Sequence, residues 1–113
     1  MEITETKSGQ VRILGLRGSL DTNTSKKLHQ RWSELIQAGE KQFVLDAAEL
    51  TFMSSSGLRE LLLAAKRLQA NRAIAICNLN PNIQKIFMVT GFAKMFPIHN
   101  SVDEAVRSME VSA

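Results

Sequence analysis

The sequence predicts an α/β fold, a small, mixed and mostly parallel β-sheet with packed α-helices in the order β-β-α-β-α-β-α-(β)-α. Short apolar runs alternate with longer segments whose apolar residues recur every three or four positions, as in amphipathic helices. Strands that alternate with helices pair in parallel through right-handed crossovers. The first two apolar runs are separated by a turn at Ser8-Gly9, which predicts an antiparallel hairpin at one edge of the sheet.

The composition is that of one globular domain. The chain has 113 residues, of which 44% are hydrophobic and 22% charged, so we expect a single domain over residues 1–113. No apolar run is long enough to span a membrane, and the N-terminus lacks the basic region and apolar core of a signal peptide. The single cysteine, Cys77, cannot form an internal disulfide, and its apolar neighbours predict a small buried side chain. These features predict a cytoplasmic protein.

The N-terminal part predicts two strands and a helix. The strands cover residues 3–7 and 11–16, and the segment 18–21 leaves the second strand. Several N-cap residues between Thr22 and Ser25 precede a helix over residues 25–38. The apolar stripe of this helix has the spacing i, i+4, i+7 and i+8 and consists of Leu28, Trp32, Leu35 and Ile36.

A third strand and a second helix flank a run of serines. The continuous apolar run at residues 41–46 predicts a strand that is buried on both faces. A short loop and the serines at 54–56 precede a helix over residues 56–70, which ends near Asn71 or Arg72. The predicted buried stripe of this helix is Leu58, Leu61, Leu62, Ala65 and Leu68. Its outer side carries Arg59, Leu63, Lys66 and Arg67. An outward leucine beside the serines is a candidate partner contact.

The next segment predicts a fourth strand and a third helix. The strand covers residues 73–77. Asn80 is the predicted N-cap of the helix, Pro81 its first residue, and Gly91 its end. The predicted inner face of this helix is Ile83, Ile86, Phe87 and Thr90.

The C-terminal segment predicts a short edge strand and a last helix. The strand lies near Phe96, and Pro97 restricts it to an edge of the sheet. Ser101 and Glu104 form a capping box that begins the last helix. The inward side of this helix is Ala105, Val106 and Met109.

Three serines lie where the third strand gives way to a helix. A helix start exposes unpaired backbone N–H groups and the positive end of the helix dipole, so it holds an anion such as a phosphate. One serine here is explained as an N-cap. Three in succession exceed what capping needs, and the residues alone leave open whether one of them is functional.

The stretch around the serines resembles a known family. Phe52-Met53-Ser54-Ser55-Ser56-Gly57-Leu58, preceded by Asp46 and Leu50, resembles the signature of STAS domains and, more narrowly, of bacterial anti-sigma factor antagonists. Their usual form is a strand ending in Leu-Asp, then an aromatic residue, Ile or Met, and Asp-Ser-Ser/Thr-Gly-Leu. The resemblance implies phosphorylation at Ser55, with Ser56 and then Ser54 as the alternatives. Ser54 replaces the usual aspartate, although some relatives carry Ser-Ser-Ala-Gly-Leu-Arg in this stretch.

A second segment, Gly18-Ser19-Leu20-Asp21-Thr22, is similar to the family form Gly-Glu/Arg-Leu-Asp-x-x-Thr, which Thr24 completes. Two interpretations of Asp21 stay open. It is either a helix N-cap or part of the surface recognised by the serine kinase that, in this family, would phosphorylate the chain. The residues that the resemblance and the pattern together assign to partner binding are Asp21, Thr24, Ser54, Ser56, Gly57, Arg59 and Leu63.

The resemblance implies a regulator that is not an enzyme. The unphosphorylated form would bind an anti-sigma factor, which is also a serine kinase, and thereby release the sigma factor. Phosphorylation at Ser55 would abolish binding, and a PP2C-type serine phosphatase would reverse it. We expect a monomer without cofactor. The alternative is a STAS scaffold without phosphorylation, in a transporter or stress-signalling assembly.

Other functions lack their motifs. A nucleophile elbow requires glycine two residues before the serine, where Ser55 has Met53. His29 and His99 have no recognisable partner motif, a phosphate loop is missing, and one cysteine with two scattered histidines does not suggest a metal site. Aromatic residues are only 5% and no Lys/Arg block exists, which argues against binding of nucleic acid.

Overall fold

The computed structural model describes residues 1–68 and 74–112 of the chain. In chain order the elements are β1 (Glu2–Ser8), β2 (Val11–Leu20), α1 (Thr22–Gln37), β3 (Gln42–Met53), α2 (Ser55–Leu68), β4 (Ile74–Cys77), α3 (Pro81–Thr90), a 3-10 helix (Phe92–Lys94), β5 (Ile98–His99) and α4 (Val102–Ser112). The predicted order of strands and helices is confirmed.

The five strands form one sheet in the order of the sequence, β1-β2-β3-β4-β5. β1 pairs with β2 in antiparallel orientation, and every other neighbouring pair is parallel. The predicted fold class, a mixed and mostly parallel sheet with an antiparallel hairpin at its edge, is therefore confirmed.

Side chains alternate between the two faces of the sheet, and helices cover both faces. The larger core lies under α1, α2 and α3, and its largest side chains are Trp32, Phe43, Phe87 and Phe96. The smaller core lies under α4 and joins Ala105, Val106 and Met109 to Val11, Val44, Ala75 and Cys77. Cys77 is fully buried as predicted, and its burial, with the negative charge of Asp46, raises the pKa of the thiol to about 12.

β2 and β3 are longer than the sequence predicts. The predicted ends at residue 16 and at Asp46 are wrong, because the two strands pair along their whole length, up to Leu20 opposite Met53. Two register shifts interrupt the pairing, and the second lies directly after Gly18, which has a φ of +104°. The predicted loop between β3 and α2 therefore consists of Ser54 alone.

α1 and α2 each begin earlier than predicted. α1 begins at Thr22 because Asp21 caps it, and α2 begins at Ser55 because Ser54 does. α1 ends at Gln37, with Leu28, Trp32 and Leu35 buried as predicted. The predicted end of α2 near residues 70–72 and the first residue of the fourth strand lie outside the described residues.

α3 has the predicted boundaries. The Asn80 side chain accepts a hydrogen bond from the Ile83 N–H at 2.9 Å, and Gly91 ends the helix with a φ of +81°. Ile83 and Phe87 are buried, but Ile86 and Thr90 are exposed, so the predicted inner face was too wide. This short helix meets the core along one narrow stripe.

The C-terminal elements differ from the prediction in two details. The edge strand lies at Ile98–His99 rather than near Phe96, because the Phe96 ring is turned into the larger core. Ser101 caps α4 by accepting a hydrogen bond from the Glu104 N–H at 3.1 Å. The second half of the predicted capping box is wrong, because the Glu104 carboxylate lies 3.1 Å from the His99 ring and accepts no bond from the Ser101 N–H in the described residues.

Side chains close the edge of β3 where β4 stops. Along β3, the pairing with β4 covers the segment Phe43–Asp46. Beyond it, the Asp46 carboxylate accepts hydrogen bonds from the Ala48 N–H at 3.1 Å and from the Asn78 side chain at 3.0 Å. The Asn80 side chain donates to the Leu50 carbonyl at 3.2 Å. These contacts satisfy backbone groups that a neighbouring strand would otherwise pair.

Two glutamates tie the edge hairpin to α1 and to the residues that follow it. Glu40 accepts hydrogen bonds from Arg12 at 2.7 Å and from Lys7 at 3.0 Å, and Glu5 accepts two from Arg31. The hydrogen bond from Arg12 lowers the pKa of Glu40, and the hydrogen bond from Arg31 lowers the pKa of Glu5.

We expect the free energy of unfolding to fall on acidification because of these glutamates. A carboxyl group whose pKa is lowered in the folded state stabilises the fold above its ordinary pKa of about 4.3. That contribution is lost as the pH falls through the lowered pKa values. Urea unfolding at a series of pH values measures the effect. In Glu40→Gln the free energy of unfolding should fall less steeply at acidic pH than in the wild type. An equally steep fall in Glu40→Gln would show that Glu40 does not contribute to it.

Candidate functional site

The starts of α1 and α2 lie side by side at one end of the sheet. β2 and β3 are parallel neighbours, so the helices that follow them begin at the same edge. The Ser54 N–H donates to the Leu20 carbonyl at 2.8 Å, and the hydroxyl oxygens of Thr22 and Ser56 are 3.1 Å apart. The two sequence segments that resemble the family therefore form one surface. We call residues 54–56 the serine junction.

Ser54 is the N-cap of α2. Its hydroxyl accepts a hydrogen bond from the Gly57 N–H at 3.2 Å, and its carbonyl accepts the first helical bond, from the Leu58 N–H at 3.1 Å. Aspartate and serine cap helices about equally well. The replacement of the usual aspartate by Ser54 therefore preserves the cap.

Ser56 and Ser55 differ in their contacts. Ser56 is half-buried and contacts Thr22 of α1. Ser55 is exposed, and its hydroxyl has no hydrogen-bond partner within the part of the chain that the structure describes. The serine junction thus holds one capping hydroxyl, one hydroxyl between two helices and one exposed hydroxyl without a hydrogen-bond partner in the described residues.

Gly57 lets α2 approach the end of β2 closely. A Cβ atom at this position would lie 2.8 Å from Leu20 Cγ and 3.0 Å from the Leu20 carbonyl oxygen. Both distances are shorter than ordinary van der Waals contacts. The glycine of the motif therefore serves close packing, and the position of the serine junction over β2 depends on it.

Asp21 is the N-cap of α1, so the capping interpretation is confirmed. Its carboxylate accepts hydrogen bonds from the N–H groups of Asn23 and Thr24, both at 3.0 Å, and its own N–H donates to the Thr24 hydroxyl at 2.8 Å. The Thr24 hydroxyl donates to the Ser19 carbonyl at 2.7 Å. The bond from the Thr24 N–H contributes most to lowering the pKa of Asp21. Partner binding by Asp21 and Thr24 stays a prediction.

One stripe of α2 faces outward from the serine junction. Its members Ser55, Arg59, Leu63 and Lys66 follow one another at helical spacing and are exposed. Leu63 is 40% exposed, as the sequence pattern predicts for a residue off the buried stripe. Arg59 is one turn from Ser55 and pairs with no carboxylate in the described residues.

Sequence reasoning missed two features of the site. Phe52 is 53% exposed beside the serine junction, although aromatic rings are usually buried. Glu60 is only 8% exposed, and its carboxylate lies 2.9 Å from Nδ1 of His29 on α1. His29 has no recognisable partner motif in the sequence. The predicted buried stripe of α2 did not include Glu60, because its burial depends on contact with the neighbouring helix α1.

Over residues 1–68 and 74–112, no group of three or more His, Cys, Asp or Glu side chains could hold a metal ion. Within the same residues, no helix combines the length and the apolar character that crossing a membrane requires.

The sequence matches the model of the STAS domain over residues 2–105. BtrV of Bordetella bronchiseptica, which is named as an anti-sigma factor antagonist, is 31% identical over 99% of this chain and 97% of its own length. The anti-sigma F factor antagonist of Paenibacillus polymyxa is 33% identical over 89% of this chain and 88% of its own length. The chain belongs to the STAS domain family. Within that family it is one of the anti-sigma factor antagonists, which are non-enzymatic regulators.

Solved structures show the same fold. The anti-sigma factor antagonist SpoIIAA in its unphosphorylated form has a TM-score of 0.83 at 20% identity, over 96% of both chains. The Bacillus cell fate determinant SpoIIAA in the phosphorylated form has a TM-score of 0.74 at 21% identity, over 96% of this chain and 99% of that one.

We expect Ser54→Ala to lower the free energy of unfolding by about 1 kcal/mol, because the Gly57 N–H loses its acceptor. Ser54→Asp should keep the stability, since aspartate restores the acceptor and adds a negative charge at the helix start. Urea unfolding followed by circular dichroism measures both. Ser55→Ala is the matched control, with an expected change within about 0.5 kcal/mol. Equal losses in Ser54→Ala and Ser55→Ala would contradict the cap.

Proposed function

We propose that this protein is an anti-sigma factor antagonist that switches partners through phosphorylation at Ser55. The unphosphorylated chain binds an anti-sigma factor that is also a serine kinase, and the bound sigma factor is released. The kinase then transfers the γ-phosphoryl group of ATP to the Ser55 hydroxyl, whose proton is lost. A PP2C-type phosphatase hydrolyses the phosphate ester and restores the binding form. The cycle fits a cytoplasmic protein.

The observation that carries the proposal is the difference between the three serines. A kinase needs a hydroxyl that is accessible and free to attack the phosphate. Ser54 uses its hydroxyl as a cap, and the Ser56 hydroxyl contacts Thr22. Ser55 alone is exposed and has no hydrogen-bond partner in the described residues. The SpoIIAA structure in the phosphorylated form supports the same chemistry in a related protein.

The helix start tolerates the phosphate. A phosphoserine carries about −1.5 to −2 charges at neutral pH. Ser55 is the first residue of α2, where the helix dipole favours negative charge. The fold therefore survives, and the added charge acts at the binding surface. A dianion that is buried against the partner without compensation costs several kcal/mol, which is enough to lose binding.

The alternative, a scaffold without phosphorylation, loses its main support. The feature that favours a scaffold is the replacement, by Ser54, of the aspartate that usually precedes the phosphorylated serine in this family. Because Ser54 caps α2 as an aspartate would, the replacement does not argue against phosphorylation at Ser55.

The test is intact mass spectrometry after incubation with ATP and each serine kinase encoded in the same genome. We expect one phosphate on the wild type, on Ser54→Ala and on Ser56→Ala, and none on Ser55→Ala. A phosphate that persists on Ser55→Ala would move the site to Ser56 or Ser54. A kinase that binds the wild type without phosphorylating it would favour the scaffold.

A further inference from the structure

The outer face of α1 and α2 carries positive charges that lack carboxylate partners among the residues that the structure describes. We define the α1–α2 face by its exposed cations, Lys26, Arg59, Lys66 and Arg67, and by the outward leucine Leu63. We propose that the α1–α2 face, together with Phe52, binds an acidic surface of the partner kinase that surrounds an apolar pocket. The inference rests on the proposed function, because it names the chemistry of the partner at that same site.

Contacts between the two helices place these cations on one surface. Thr22 contacts Ser56 near the helix starts, and farther along Arg67 donates to the Ser33 hydroxyl at 2.6 Å. Lys26 follows Thr22 by one helical turn, so it lies along the same side of α1. Arg59 and Lys66 lie in the stripe of α2 that begins at Ser55. The cations therefore line the surface that starts at the serine junction.

The two glutamates on these helices each contact a basic side chain. Glu60 is buried, with its carboxylate 2.9 Å from the His29 ring. The exposed Glu34 lies 3.7 Å from Arg31, which also binds Glu5. In the described residues, none of the four cations of the α1–α2 face pairs with a carboxylate.

Most cations of the hairpin side are paired instead. Arg12 pairs with Glu40, and Arg17 with Glu49. Surface charges of one sign attract partners of the opposite sign and speed their association. The α1–α2 face is therefore suited to a surface rich in Asp and Glu.

Two apolar side chains point to a protein surface rather than a nucleic acid. Phe52 is 53% exposed and Leu63 is 40% exposed, on either side of Ser55 along the chain. Phe and Arg side chains are enriched at protein interfaces relative to the rest of the surface. Single-stranded nucleic acid would require a series of aromatic rings for base stacking, and Phe52 is the one aromatic among the large exposed apolar side chains of the described residues.

The same charges explain how one phosphate would end binding. A phosphate on Ser55 lies one helical turn before Arg59, the spacing at which side chains on a helix surface pair. It would occupy Arg59 and reverse the local charge. An acidic partner would then lose an attractive contact and meet a repulsive one.

The experiment measures binding of each genome-encoded serine kinase without ATP, so that no phosphate is transferred. Dissociation constants are determined for the wild type, Arg59→Glu, Lys66→Glu and the control Arg107→Glu. Arg107 is exposed on α4, behind the opposite face of the sheet, and its replacement changes the net charge equally. We expect about tenfold weaker binding for Arg59→Glu and Lys66→Glu and less than about twofold for the control. Wild-type binding should also weaken between about 0.05 M and about 0.3 M salt.

The outcomes separate the inference from the proposed function. If the wild type is phosphorylated at Ser55 while all three variants bind like the wild type, the inference is wrong and the proposed function stands. If no kinase binds or phosphorylates the wild type, both are wrong. A 20-nucleotide single-stranded DNA and anionic vesicles are tested in parallel. Charge-dependent binding to either one, with kinase binding unaffected by the variants, would overturn the inference.

Discussion

Phosphorylation at Ser55 is expected to weaken binding to the partner kinase by about a hundredfold or more, the equivalent of several kcal/mol. Ser55 is exposed at the start of α2, so the phosphate would lie on the binding surface rather than in the core. Isothermal titration of the kinase with phosphorylated and unphosphorylated chain, prepared in parallel and confirmed by mass, measures the loss.

Two controls show that the loss arises at the interface. The phosphorylated chain should unfold at nearly the temperature of the unphosphorylated chain, because the helix start favours the added charge. Ser55→Ala should bind like the wild type, and Ser55→Asp should bind more weakly but better than the phosphorylated chain, since it adds only one charge. Unchanged affinity of the phosphorylated chain would rule out the switch.

Gly57→Ala is expected to lower the free energy of unfolding by about 1–3 kcal/mol, as overpacking does. The new methyl group would lie 2.8 Å from Leu20 Cγ and 3.0 Å from the Leu20 carbonyl oxygen, so α2 must move away from β2. That movement displaces Ser55 as well. We therefore also expect slower phosphorylation, measured by mass spectrometry over time. Urea unfolding measures the loss of stability.

A double-mutant cycle tests this mechanism. Leu20→Ala alone should cost about 2–5 kcal/mol, because the side chain is fully buried. In the double variant the methyl group of Gly57→Ala gains the space that the leucine left. The double variant should then lose less free energy of unfolding than the sum of the losses in the two single variants. Strict additivity would show that the Gly57→Ala effect does not arise from contact with the Leu20 side chain.

Residue patterns predicted the parts of the fold that depend on local physics. The caps at Asn80 and Ser101, the buried stripe of α1 and the outward position of Leu63 all follow from spacing within one element. The order of strands and helices follows from the alternation of these patterns. Such features need no knowledge of what lies across the sheet.

The ends of β2 and β3 could not be predicted in this way, because pairing between distant segments decides them. Residues 47–53 are not a strong strand pattern, yet β2 supplies hydrogen-bond partners up to Met53. The register shifts also change which side chains face inward. Leu50 and Met53 are buried, whereas Phe52 between them is exposed. Strict alternation would have placed Phe52 inside with Leu50.

The sequence predicted the region of the candidate site but not the contacts of each serine within it. The family resemblance assigned phosphorylation to Ser55, which stays a prediction, but no pattern within three identical residues distinguishes a capping hydroxyl from an exposed one. Only the contacts of Ser54 with Gly57 and of Ser56 with Thr22 separate them. The choice between two interpretations of Asp21 likewise needed the geometry at the start of α1.

The order of the strands has a consequence for how the chain folds during synthesis. Every strand pairs with the strands directly before and after it in the sequence. Each pairing therefore closes one turn or one crossover with one or two helices, which costs less entropy of closure than pairing strands from distant parts of the chain. The β1–β2 hairpin can form first, and each later strand can join the edge of the sheet as it leaves the ribosome. No strand has to wait for a partner that has not yet been made.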